Sequence, residues 1–158
     1  MTRGSIAALA CAACACAACA DVTNAPGTDP STTLDETAFL CNVQPILVRQ
    51  CSYNACHGIA GAALRIYSPG KLRATQAATL DDLIAPLTTA EQHANFLSAA
   101  GFAASGVAPA DNFLLRKPLP SSYGGYEHTG GAIYAGGTSD AQYVAIHAWL
   151  SGSSTCAN

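Results

Sequence analysis

Positive charge is scarce in this sequence: seven lysines and arginines are scattered over 158 residues, and charged side chains make up only 11%. No basic run exists that could neutralise phosphates, so nucleic-acid binding has no electrostatic basis. The alternating charges that solvate a coiled coil are missing too. There is no G-x-S-x-G elbow, no phosphate-binding loop and no motif of paired carboxylates, so those catalytic constellations are absent. Strand-like alternation never lasts more than a few residues. The uncharged N-terminal stretch, Ile6 to Ala18, is too short to hold a bilayer as a stable anchor. Methionine occurs once, at position 1.

Cysteine, by contrast, is plentiful, with eight in the chain. Half of them fall in an N-terminal segment that reads as an address. Arg3 is a minimal positive region, Ile6 to Ala18 an apolar stretch of export-signal length, and Ala18-Cys19-Ala20 an A-x-A cleavage site before Asp21. Ala17-Ala18-Cys19 also resembles the small-residue box of a bacterial lipoprotein, with Cys16 where leucine is usual. Residues 1–20 are therefore expected to direct export, with a lipid anchor at Cys19 as the only expected membrane attachment. Loss of the single charge of Arg3 takes the formal net charge from −3 to −4. Residues 21–34, rich in Thr, Pro, Asp and Gly, read as a flexible linker. Residues 35–158 are long enough for one domain with a modest core.

Processing leaves Cys41, Cys51, Cys56 and Cys156. Cys51-Ser52-Tyr53-Asn54-Ala55-Cys56-His57 supplies what a covalently held haem requires. Two thiols can add to the two vinyl groups, and the imidazole after the second thiol can ligate the iron. The usual attachment motif has two residues between the cysteines. Four stand here, so the loop must bulge while its ends stay together. The competing readings are a short-loop disulfide between Cys51 and Cys56, a zinc site completed by a distant ligand, and chance. If the haem takes Cys51 and Cys56, then Cys41 and Cys156 are a leftover pair in an oxidising compartment, which favours a disulfide over two free buried thiols. Such a bridge closes a loop of more than about 100 residues, worth about 4–5 kcal/mol in the loop-entropy treatment.

Several segments, in order, resemble the monohaem cytochrome c-like domains of planctomycetes and myxobacteria, a class I cytochrome c-like family. Val43-Gln44-Pro45-Ile46-Leu47 followed by Cys51 to Gly58 is similar to that family's "V-x-P-I-L … Cys-His-Gly" opening. Leu64-Arg65-Ile66 resembles its "L-R-L" segment, and Leu114-Leu115-Arg116-Lys117-Pro118-Leu119 its "L-L-x-K-P-L" helix. His128-Thr129-Gly130-Gly131 resembles its "H-x-G-G" loop, and Tyr143 to Gly152 its closing helix. The resemblance spans roughly residues 36–152. It implies an all-α fold with long Gly-rich loops around one covalent haem c per chain.

The helical signals agree with that. Thr33-Leu34-Asp35-Glu36 reads as a capping box, followed by Phe39, Val43, Ile46 and Leu47 at helical spacing, with a break or kink expected before Pro45. Ser139 to Gln142 reads as a second box, followed by a stripe of Tyr143, Ile146 and Leu150 with Trp149 beside it and Gly152 as terminal cap. Leu80–Leu87, Glu91–Ala99 and Asn112–Lys117 are short helix candidates. Class I cytochromes pack their two terminal helices across one another, which would bring Cys41 and Cys156 together. Residues 118–138 carry three Gly-Gly pairs with Tyr123, Tyr126 and Tyr134 among them, and are expected to wrap the haem edge, tyrosine rings covering it and hydroxyls wet.

His57 is the expected proximal ligand. Thioether ligation opposite it is excluded in the mature chain because Met1 leaves with the signal. His128 is the expected distal ligand, with His93 and His147 as alternatives, so that the iron ligands are His57 and His128. Arg65 and Lys117, with Arg116 as a further cation, are expected partners of the haem propionates. The sequence thus reads as an exported electron carrier, not an enzyme, resident in the periplasm, on the outer membrane or outside a Gram-negative cell. Its expected partners are redox proteins, or copies of itself with stacked haems. The alternatives are a five-coordinate haem enzyme or gas-binding protein, and a disulfide-stapled exported binding lipoprotein without haem.

Overall fold

The computed structural model describes residues 34–103 and 107–156. The expected export segment, the expected lipid site at Cys19, nearly all of the expected linker and Thr33 lie outside those residues. Among the described residues every regular element is helical and no strand occurs, so the all-α expectation holds at that level.

The first helical run begins at Asp35, whose carboxylate accepts from the Ala38 amide at 3.1 Å. The cap therefore stands at Asp35, two residues later than the box expected at Thr33. Glu36, expected to close that box, instead reaches the exposed His93 ring at 3.0 Å. Helix α1 (Glu36–Ala38) leads into a π-helical stretch (Phe39–Val43) and then α2 (Gln44–Gln50). The π stretch is how the chain passes Pro45. Gln44 N–H reaches back five residues to the Phe39 carbonyl, so the widened turn falls just ahead of a residue that cannot donate. The expected kink is realised as a wider turn and the helical path continues.

This run is fastened to α6 (Ala141–Leu150) near the other end of the chain. Phe39, fully buried, packs its ring 5.3 Å from Trp149 and 5.7 Å from Phe96 of α4 (Thr89–Ala100). Trp149 donates its indole N–H to the Asp35 carbonyl at 3.0 Å. Helix α6 is capped by Asp140, which accepts from Gln142 N at 2.9 Å. Ser139 belongs to the preceding 3-10 turn, so this cap also stands one residue later than expected. The buried face is Tyr143, Ile146 and Trp149, with Leu150 only half buried. Gly152 closes the helix with φ +68°, while the Gly152 and Ser153 amides bond back to Trp149 and Ala148. Past that cap the chain turns back, and Cys156 bonds Cys41 across 115 residues, Cα to Cα 6.0 Å.

Between these ends, α3 (Leu80–Ile84) is shorter than its 80–87 expectation. Ala85 precedes Pro86 and takes ψ 150°, which ends the helix. The turn from α3 to α4 is tied by one arginine. Arg73 Nη1 donates to the carbonyls of Asp82, Leu83 and Ala85 at 2.7–3.1 Å. Its other face makes a bidentate pair with Glu91, at 2.9 and 2.8 Å. The Glu91 carboxylate also accepts from the Ala74 amide and from the amide and hydroxyl of its cap, Thr88. Burial by itself would raise the Glu91 carboxyl, yet these hydrogen bonds outweigh it and hold the group down at about 2. Helix α5 (Phe113–Arg116) follows, capped by Asn112, which also donates to the Phe102 carbonyl at 2.9 Å.

Two stability predictions follow from these ties. Replacing both Cys41 and Cys156 with serine lowers unfolding free energy by about 2–5 kcal/mol in a denaturant titration. For Glu91, a carboxyl held below its ordinary value of 4.5 stabilises above that pH and loses its contribution as pH falls toward about 2. Glu91→Gln therefore costs about 2 kcal/mol near neutrality and flattens the acid limb of the stability-versus-pH curve.

Candidate functional site

Helix α2 ends by delivering Cys51, whose amide still bonds to Leu47 at 2.9 Å. The four residues that follow make the anticipated bulge. Tyr53, Asn54 and Ala55 are exposed at its tip, while His57 N–H donates to the Cys51 carbonyl at 3.0 Å and draws its ends together. Ser52 is fully buried and donates to the Val48 carbonyl. Lys71 braces the same corner, donating to Ser52 Oγ at 2.9 Å and lying 3.8 Å from the centre of the Tyr53 ring. Gly58 is required sterically: a Cβ there would overlap the Ser52 carbonyl oxygen. Cys51 and Cys56 are both free thiols, each partly exposed. Burial first, and then the neighbouring Cys56, push the Cys51 thiol up to about 11 against the pull of Lys71, so it is protonated at neutral pH.

His57 is held from behind. Its Nδ1 lies 2.9 Å from the Leu64 carbonyl, and its own carbonyl accepts from Ile66 N at 2.8 Å. That segment is in turn gripped by α4, with Arg65 N donating to Ser98 Oγ at 2.8 Å and Tyr67 N to Asn95 Oδ1 at 2.7 Å. Burial above all lowers the His57 pKa, with His128 acting in the same sense and the Leu64 bond against it. A neutral ring that donates from Nδ1 leaves the Nε2 lone pair free for a metal.

His128 presents a matching imidazole. Its Nδ1 lies 3.2 Å from the Gly131 carbonyl, and Gly130 passes so close that a Cβ would come within 2.8 Å of the ring. The His57 and His128 rings stand 12° from parallel with centres 6.1 Å apart. Both rings, both free thiols and Lys117 line one cavity of ≈ 420 Å³, a volume in the range of cofactor pockets. Its walls are chiefly apolar, with Leu47, Leu64, Phe102, Phe113 and Leu114 contributing. The donor set and the apolar walls fit a covalently held haem. Among the described residues no cluster of three or more His, Cys, Asp or Glu is arranged to hold a metal ion, so a zinc site of that kind is not assembled.

The remaining candidates lie elsewhere. Arg65 is not in the cavity wall: its guanidinium sits over the Tyr67 ring at 5.1 Å, with Nη1 near the Ala60 carbonyl, because its amide is fixed to Ser98. Arg116 pairs with Asp111 at 2.8 Å and covers the Tyr126 ring. His93 pairs with Glu36, and His147 packs on Tyr143, its Nδ1 near Ser151 Oγ; neither reaches the cavity. Of the three loop tyrosines only Tyr134 lines it, and its hydroxyl is not wet but donates to the buried Leu114 carbonyl at 2.9 Å. Tyr123 packs against Gly137, and Tyr126 against the cavity-wall residue Phe113, without either lining the cavity itself. Lys71, Phe102 and Phe113 were not read from the sequence as site residues. Nothing in their local pattern marks them, since each arrives from a separate loop or helix start.

No family model, curated protein or solved structure matches this chain.

The Gly58 contact carries its own prediction. Gly58→Ala forces the Ser52 carbonyl to move and costs about 1–3 kcal/mol, measured by chemical denaturation, whereas Gly61→Ala, where a Cβ meets nothing within 4 Å, is tolerated.

Proposed function

We propose that this chain is an exported monohaem c-type cytochrome of the class I-like kind, carrying electrons through a bis-histidine haem. The observation that carries the reading is the convergence of Cys51, Cys56, His57 and His128 on one apolar cavity, with both imidazoles tethered through Nδ1. In this reading Cys51 and Cys56 would hold the porphyrin, and His57 and His128 would ligate its iron. When bound, the haem supplies a one-electron couple. Two imidazoles favour the ferric state over a Met/His pair, which lowers the potential. The chain's own task is to fix both rings, exclude water with its leucine and phenylalanine walls, and offer Lys117 at the cavity wall to a propionate. Outside the cytoplasm the Cys41–Cys156 bridge would persist, which supports the export reading. Redox proteins, or further copies of this chain with exposed haem edges, are the partners such a carrier would serve.

The test is a pyridine haemochrome spectrum of protein produced with a cytochrome maturation system. Covalent haem that survives denaturation, with a low-spin ferric spectrum, is the expected result. His128→Ala converts that spectrum to high spin while covalent attachment remains. A colourless product, or a low-spin spectrum unchanged in His128→Ala, overturns the haem or the distal assignment respectively.

A further inference from the structure

The two imidazoles are held very differently. His57 is bonded to residues 51, 64 and 66, and that segment is pinned to α4 through Asn95 and Ser98. Both hydrogen bonds of His128 go to Gly131 in its own turn: Nδ1 with the Gly131 carbonyl and the His128 carbonyl with Gly131 N at 2.8 Å. The turn is tied to the body at its two ends, by Tyr126 N to the Arg116 carbonyl and by Ile133 N to the Pro118 carbonyl, each at 2.8 Å. Among the described residues, 127–132 make no other hydrogen bond to the body, and all but the half-buried His128 are exposed. Gly131 has φ +76°, a left-handed conformation that glycine takes without steric cost.

Behind His128 lies a second hollow of ≈ 390 Å³, bounded by Leu119, Pro120, Ser121, Tyr126 and Ala132. Lys117, Glu127 and His128 belong to both walls, so the His128 ring stands in the partition between the haem cavity and this rear space. A self-bonded turn with hinges at 126 and 133 can move as a unit and keep its internal bonds. The rear hollow gives the departing imidazole a place to go.

We infer that His128 is an exchangeable ligand, which withdraws with its turn into the rear hollow and yields its coordination position to a small neutral diatomic molecule such as carbon monoxide. This rests on the bis-histidine reading above. The exchange breaks one metal–nitrogen bond and forms one metal–carbon bond, with no change in electron count and no proton transferred. The apolar cavity walls suit an uncharged diatomic better than a solvated anion. Ligand binding through a minor open state has a recognisable kinetic form, because the observed rate cannot exceed the rate of opening.

The experiment is rapid mixing of the reduced, haem-loaded full chain with carbon monoxide. The observed rate is expected to level off as carbon monoxide rises, at a limit set by departure of His128. Ala132→Trp and Ser121→Trp, on separate walls of the rear hollow, should each lower that limit about tenfold, equivalent to about 1.4 kcal/mol, without altering the low-spin spectrum. His128→Ala should remove the limit and leave a rate proportional to carbon monoxide. Hydrogen exchange at the Ile133 amide, which ties the turn to the Pro118 carbonyl, should be faster than at the Ile66 amide in the same protein. A low-spin protein that takes up no carbon monoxide, a rate that stays linear in the wild type, or tryptophan variants with an unchanged limit each overturn the inference alone. A preparation without low-spin haem overturns it together with the reading on which it rests.

Discussion

The junction of Phe39, Phe96 and Trp149 is the contact on which the remaining architecture depends. Each ring comes from a different helical segment, the π stretch, α4 and α6, and all three are buried. Locking these helices fixes the direction of the run that ends at Cys51. It also fixes where α4 presents Asn95 and Ser98. The disulfide and the indole bond to Asp35 hold the same crossing from its edges. In a small domain, where limited core must offset the loss of chain entropy, a covalent tie of this span reinforces the part of the fold that has fewest alternatives.

From that junction the site is assembled by polar ties and not by regular structure. Asn95 is fully buried and answers both backbone groups of Tyr67, donating to its carbonyl at 3.0 Å and accepting from its amide at 2.7 Å. It holds an extended loop as a neighbouring strand would. Arg73 and Glu91 do the same for the excursion between residues 73 and 91, where a single guanidinium satisfies the carbonyls at the end of α3. Buried polar side chains are costly without partners and strongly orienting with them. Here they stand in for strands, which are absent among the described residues, and they hold His57 in place while the turn bearing His128 is tied only at its ends.

Much of this was legible in the chain because its cause is local. The helical spacing of Phe39, Val43, Ile46 and Leu47, the interruption at Pro45, the glycine cap at 152 and the four-residue bulge between Cys51 and Cys56 all follow from short-range geometry. The Cys41–Cys156 pairing was legible only as the pair left over if Cys51 and Cys56 are assigned to a haem. What misled was the choice between nearby polar residues: Asp35 and Asp140 took caps assigned to Thr33 and Ser139, because the carboxylates lie two residues and one residue nearer the first free amides. The tyrosines of residues 118–138 were credited with one shared role. The fold separates them: Tyr126 packs on Phe113 and Tyr123 against Gly137, and of the three only Tyr134 lines the cavity.

By itself the sequence determined the helical class and the thiol–thiol–imidazole cluster, because periodicity and adjacency are properties of the chain; the crossing of the terminal helices was only what the family resemblance implied. Only the tertiary structure decided that His128, and not His93 or His147, faces His57. It likewise decided that Lys117 lines the cavity while Arg65 turns onto Tyr67. Those outcomes depend on which groups Ser98, Glu36 and Pro118 hold in space, the Arg65 amide, the His93 ring and the Ile133 amide, across separations of up to 57 residues. No local pattern encodes such a choice, because each is a competition among distant partners settled when the core closes.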